Sequence, residues 1–159
     1  MGTRQTAGAA RRELAAAVLL LALAAPARAE PPLDPRVTPE TLAGTVCVHG
    51  YTRTVRPAWR WLRRLKERAL AGIGRGPEDA GAYQLDHVVP LVLGGAPADP
   101  ANLQLQERSE AKKKDHVERV LGCLVCKGEI ALHEARAVLG HGDWRQGWSE
   151  WRKVRCWRE

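Results

Sequence analysis

A chain of 159 residues with 25 Lys and Arg against 18 Asp and Glu has a formal net charge of +7. That length argues against two domains, and that charge favours a polyanionic partner without naming one: nucleic acid, an acidic envelope polymer and plain solubility all fit. The longest apolar run, Leu14 to Ala25, is well short of the roughly 20 residues that cross a bilayer, which argues against a membrane-spanning anchor.

The first 29 residues read as a signal peptide. Arg4, Arg11 and Arg12 form a positive leading region, the apolar run follows, and Ala27-Arg28-Ala29 offers small residues where a signal peptidase reads. Cleavage after Ala29 removes four arginines and one glutamate, a net loss of three positive charges, and leaves +4. The exported remainder, periplasmic or secreted, then has no stable membrane anchor. Residues 30–45, with Pro31, Pro32, Pro35 and Pro39, are expected to be an extended, poorly ordered lead. A single domain should occupy residues 46–159.

Val46 to Thr54 reads as a strand or extended segment. Pro57 then suits a first helical turn, and Trp59, Leu62, Leu65, Leu70 and Ile73 recur at nearly helical spacing, until the glycines at 72, 74 and 76 end the helix. Trp59 and Trp61 are expected in the core and at its rim rather than as stacking platforms for bases. Tyr83 to Val89 reads as a strand and Leu103 to Gln106 as a second one. A helix begins at Ser109 and Glu110, with Ala111, Val117, Val120, Leu121 and Leu124 on its apolar face, and a shorter helix spans Glu129 to Leu139. Trp144, Trp148 and Trp151 have the spacing of one helix face.

All four cysteines, Cys47, Cys123, Cys126 and Cys156, fall in the exported part, which points to disulfides. Four cysteines allow three connectivities. The favoured one pairs Cys47 with Cys126 and Cys123 with Cys156. The rival is a structural Zn²⁺ site on Cys123 and Cys126, completed from Cys47, His49 and Cys156.

The most informative stretch is DHVVPLVLGGAPADPANLQLQ, residues 86–106. An acid and an imidazole set side by side in an apolar strand are costly to bury for packing alone. This stretch resembles the HNH endonucleases in its DH pair, apolar-proline step, Gly-Gly turn and NL at the expected distance, and the match runs from Tyr83 to Asp115. The flanks are similar to small exported HNH-like proteins with a VCVxGYT element upstream.

The resemblance implies an α+β fold: a small ββα-metal core at residues 83–115, with flanking helices and disulfide staples. It also implies a metal-dependent endonuclease of low sequence specificity. His87 would be the general base, Asp86 a ligand of one divalent cation, Mg²⁺ or Mn²⁺, and Asn102 the residue whose amide ties the loop to the catalytic strand. Neighbours on a regular strand face opposite ways, so a bulge or twist is expected at Asp86-His87.

The third motif position departs from the family's His or Asn. Glu110 stands there, and is either a second oxygen ligand or an acid placed at a helix start by the dipole. His116 lies about 600° of rotation beyond Glu110 and so makes a poor substitute. Lys113 and Lys114, one turn on, are candidate phosphate contacts. The expected partner is nucleic acid, DNA ahead of RNA, since the basic clusters offer backbone contacts and no base-reading module. A noncatalytic, disulfide-stabilised module for the envelope or for nucleic acid, on the same scaffold, is the alternative.

Overall fold

The structure, a computed structural model, describes residues 30–140 and 142–156. The expected signal peptide lies outside the described residues. The architecture is mixed: one two-stranded antiparallel sheet, helices around it, and two disulfides. In chain order the regular elements are α1 (Tyr51–Val55), α2 (Trp59–Gly72), β1 (Tyr83–His87), β2 (Leu103–Glu107), α3 (Arg108–Cys126), α4 (Leu132–Gly140) and α5 (Trp148–Trp151). Among the described residues no helix is long and apolar enough to cross a membrane.

The Pro-rich lead is ordered, contrary to expectation. Leu33 bridges Gly95, Asp34 N–H donates to Gly94 O at 2.9 Å, and Ala96 N–H donates to Pro32 O at 2.9 Å. Asp34 is buried, and its carboxylate accepts from Arg36 Nε and Nη2, a pair that holds its pKa below the usual carboxylate range. Val37 joins the core. The proline-rich composition signals extension, but backbone pairing with the loop after β1 supplies the order.

The segment after it also differs from the sequence reading. Residues 45–50 are turns, and Tyr51–Val55 is a short helix rather than a strand. Gly50, with φ +82°, makes the left-handed step that starts the helix. Cys47 is bonded to Cys126 on α3, so the tight turns bring a sulfur into place that a strand would carry past it.

The core is built mostly from one face each of α3 and α4, with Val37, Val46, Val89, Leu93 and Trp144 filling in. The α4 helix starts at Leu132, three residues later than the apolar pattern suggests, after a turn in which Gly128 takes φ +73°. The tryptophan face is split: Trp144 lies in a short 3-10 turn, 1% exposed, and Trp148 and Trp151 stand on the separate helix α5. Trp59 is exposed, with the Arg63 guanidinium 5.5 Å from its ring centroid, because it sits at the N-terminus of α2 away from the core.

The helix α2 lies along the hairpin, and Lys66 Nζ donates to Ala80 O and Tyr83 O, bracing the entry to β1. The strands pair from Tyr83↔Glu107 to His87↔Leu103 in unbroken register, so no bulge forms at Asp86-His87. A second disulfide, Cys123–Cys156, ties the C-terminal segment to α3. With no free cysteine among the described residues, the sulfurs are committed to each other and not to zinc.

Two glycines shape the loop between the strands. Gly94 has φ +76°, and a Cβ there would lie 2.5 Å from Val37 Cβ. At Gly95 a Cβ would lie 1.8 Å from Val89 O and 2.6 Å from Asn102 Nδ2. Those neighbours are backbone and a buried amide, which cannot swing aside. Gly95→Ala should therefore destabilise the protein by about 1–3 kcal/mol, read by chemical denaturation, whereas Gly72→Ala, which meets nothing within 4 Å, should not.

Candidate functional site

The site grows from a helix face that carries charge where its neighbours are apolar. Ala111, Leu121 and Val125 are buried along one stripe of α3, and Lys114 and Glu118 occupy the same stripe at the intervening turns. An ammonium there must find partners or cost several kcal/mol. Lys114 is fully buried, and its Nζ donates to Asp86 Oδ2 at 2.9 Å, to His87 O at 2.6 Å and to Glu118 Oε1. Three donors meet three acceptors. Burial alone would pull its pKa down, but the attraction of Glu118 and Asp86 outweighs this and raises it.

This corrects the expected role of Lys114. It has no N–H left for a phosphate and no exposure to reach one; it is an internal brace between α3 and β1. Lys113 points outward, partly exposed, and bonds Glu110. Glu110 also faces Arg145 Nε at 3.5 Å, and so is held by two cations away from the acid cluster at Asp86. Gln106, in the amide orientation that satisfies both neighbours, donates to Asp86 Oδ2 at 2.9 Å and accepts from Arg145 at 3.2 Å.

Two carboxylates the sequence reading passed over join Asp86 instead. Asp86, Asp115 and Glu118 bring ligand oxygens within 4.8 Å of one another, the single group of this kind among the described residues. Burial raises the pKa of Asp115, as does repulsion from Asp86, while Arg119, Lys114 and Arg56 oppose the rise. Glu118 is pushed up to about 7, chiefly by burial, against the pull of Lys114. Their sequence signal was present but unread: Lys-Asp-x-x-Glu sets two charged residues on the buried stripe.

His87 is 5% exposed at the end of β1. Its Nε2 lies 3.0 Å from Pro97 O. A carbonyl only accepts, so Nε2 carries the hydrogen and Nδ1 keeps the basic lone pair of the neutral ring. Burial lowers its pKa, with Pro97 O and Asp86 pulling the other way. Asn102 is wholly buried: Oδ1 accepts from Val89 N–H at 2.8 Å, and Nδ2 donates to Val89 O and Ala96 O, both at 3.0 Å. The amide thus clasps the loop to the chain just after β1. His116 stands apart, its Nε2 2.9 Å from Trp151 O.

A cleft of about 470 Å³ opens over this arrangement. Asp86, His87, Asp115 and Glu118 line it together with the cations Arg56 and Arg119. Asp86 and His87 both reach it without a bulge, because His87 is the last residue of the ladder. The donor set is one a hard divalent cation can use: three carboxylates cluster with Lys114 beneath Arg56 and Arg119, and neither Asp86 Oδ1 nor the Asp115 carboxylate has a hydrogen-bond partner among the described residues. No protein-family model, curated protein or solved structure matches this chain.

Lys114→Ala should cost about 3–5 kcal/mol of stability by stranding buried carboxylates, while Lys113→Ala should change it by no more than about 0.5 kcal/mol, both read from denaturant midpoints. For His87 the linkage has a definite sign. A folded-state pKa below the ordinary 6.5 means that the unfolded chain binds the proton more readily, so stability is lost as pH falls below about 6.5. His87→Gln should flatten that acid limb of the melting temperature relative to the parent protein.

Proposed function

We propose that the protein is an exported, metal-dependent endonuclease of the HNH type that hydrolyses phosphodiester bonds of nucleic acid, DNA ahead of RNA, with low sequence specificity. The observation that carries this reading is the meeting in one cleft of a neutral imidazole with a defined basic nitrogen and a cluster of three carboxylates. The strand-loop-strand-helix order of residues 83–126 is what a ββα-metal core requires, and the two disulfides fit an oxidising destination.

In this reading His87 Nδ1 takes a proton from the attacking water, and the Pro97 carbonyl holds the ring in the tautomer that allows it. The ordinary objection to a buried base is its reluctance to carry charge. Here Asp86 beside it favours the imidazolium once formed. Asp86, with Asp115 and Glu118, would hold one Mg²⁺ or Mn²⁺. When bound, that cation supplies polarisation of the phosphate and stabilisation of the departing oxygen. Lys114 keeps the Asp86 carboxylate oriented, Asn102 keeps the loop closed beneath it, and Arg56 and Arg119 flank the cleft where a phosphate backbone enters.

One observation favours the noncatalytic module instead. Lys114 already neutralises part of the carboxylate cluster, as a purely structural ion network would require. The two readings part on a plasmid-nicking assay of the exported chain with Mg²⁺ or Mn²⁺. Cleavage that His87→Ala reduces by about 100-fold or more, and that Asp86→Asn also abolishes, is the enzyme's result. Folded protein that nicks nothing with any divalent ion is the module's.

A further inference from the structure

We infer that the groove beside the catalytic cleft is a binding site for single-stranded nucleic acid, taking an unstacked base on its floor and the adjoining phosphates on its arginines. The groove has a volume of about 550 Å³, within the range of cavities that hold compact organic ligands. Its floor is apolar and aromatic, with Val92, Val120 and Trp148. Around that floor stand Arg119, Arg152 and Arg155, and no carboxylate lines it. Among the described residues none of these three guanidiniums forms an ion pair. An apolar slot edged by arginines, with His49 and His116 as its other polar lining residues, fits a ligand that is anionic along one side and flat and apolar along the other.

Position selects the occupant. Arg119 and Val92 line both this groove and the cleft that holds Asp86 and His87, so a strand whose phosphate lies in one can continue into the other. The disulfide Cys123–Cys156 forms part of the wall and pins the segment bearing Arg152 and Arg155 to α3. The cations are therefore presented from a covalently fixed wall. A base inside a duplex is paired and stacked and cannot reach such a floor, whereas a single strand offers it freely. The site thus deepens the nuclease reading, on which its biological meaning rests, by naming an unpaired strand as the preferred substrate.

The test is equilibrium binding of a fluorescein-labelled dT12 and of a 12-base-pair duplex to the exported chain in EDTA, by anisotropy across a salt series. Because Arg152 and Arg155 are exposed, the double variant Arg152→Glu/Arg155→Glu should fold, which near-ultraviolet dichroism checks. The parent protein should bind dT12 more tightly than the duplex. The variant should lose at least about tenfold in dT12 affinity, and its salt slope should shrink by about 0.7 for each phosphate contact removed. Equal or tighter duplex binding by the parent, or dT12 affinity within twofold in the variant, overturns the proposal. Tight binding to anionic vesicles with none to dT12 overturns it in favour of a lipid surface. The measurement needs no cleavage: binding as described by a protein that nicks nothing defeats the nuclease reading alone, and nicking by a protein indifferent to the variant defeats the groove alone.

Discussion

The site depends on one buried ammonium. Lys114 holds Asp86, Glu118 and the carbonyl of His87 around a single nitrogen with no exposure to water. In a low-dielectric interior such a group is tolerable only if every donor is used, and once every donor is used the geometry has little freedom. It fixes where α3 crosses β1, and with that it fixes the depth at which Asp115 and the imidazole of His87 sit. A charge often read as a surface contact is here the joint between helix and strand.

Two further constraints keep the joint from opening. Asn102 spends both sides of its amide on Val89 and Ala96, closing a loop that only a glycine at position 95 allows to come so near. The disulfides hold the outer segments, Cys47–Cys126 fastening the turns before α1 and Cys123–Cys156 the C-terminal segment. Each crosslink limits the unfolded chain as well as the folded one, which matters in a small domain with a modest core. The result is a rigid floor of acids and imidazole beneath a rim of arginines.

Under the proposed reading, that distribution of charge separates two tasks. Carboxylates gathered inside the cleft suit a cation, and cations at its edge, Arg56 and Arg119, suit a polyanion approaching it. The acids also carry a cost, since burial raises the pKa of both Asp115 and Glu118. Under the proposed reading, that cost is accepted where a cation and an oriented histidine are needed.

The sequence by itself determined the hairpin-forming strands, the helices α2 and α3 and the apolar face of α3, because those depend on periodicity and on local turn chemistry at Gly94-Gly95 and Asn102; at the two ends of α2, Trp59 and Ile73 stand exposed. It also marked Asp86 and His87, since adjacent polar groups in an apolar strand need a reason beyond packing. It misjudged the Pro-rich lead, the segment from Val46 to Thr54 and the exposure of Trp59, where contacts with distant chain override local preference. Only the tertiary structure decided that Lys114 turns inward while Lys113 turns out, and that Asp115 and Glu118 rather than Glu110 stand with Asp86. Composition makes three consecutive lysines look alike. Which of them is buried is set by where a helix meets a strand, and that is a property of the packed chain.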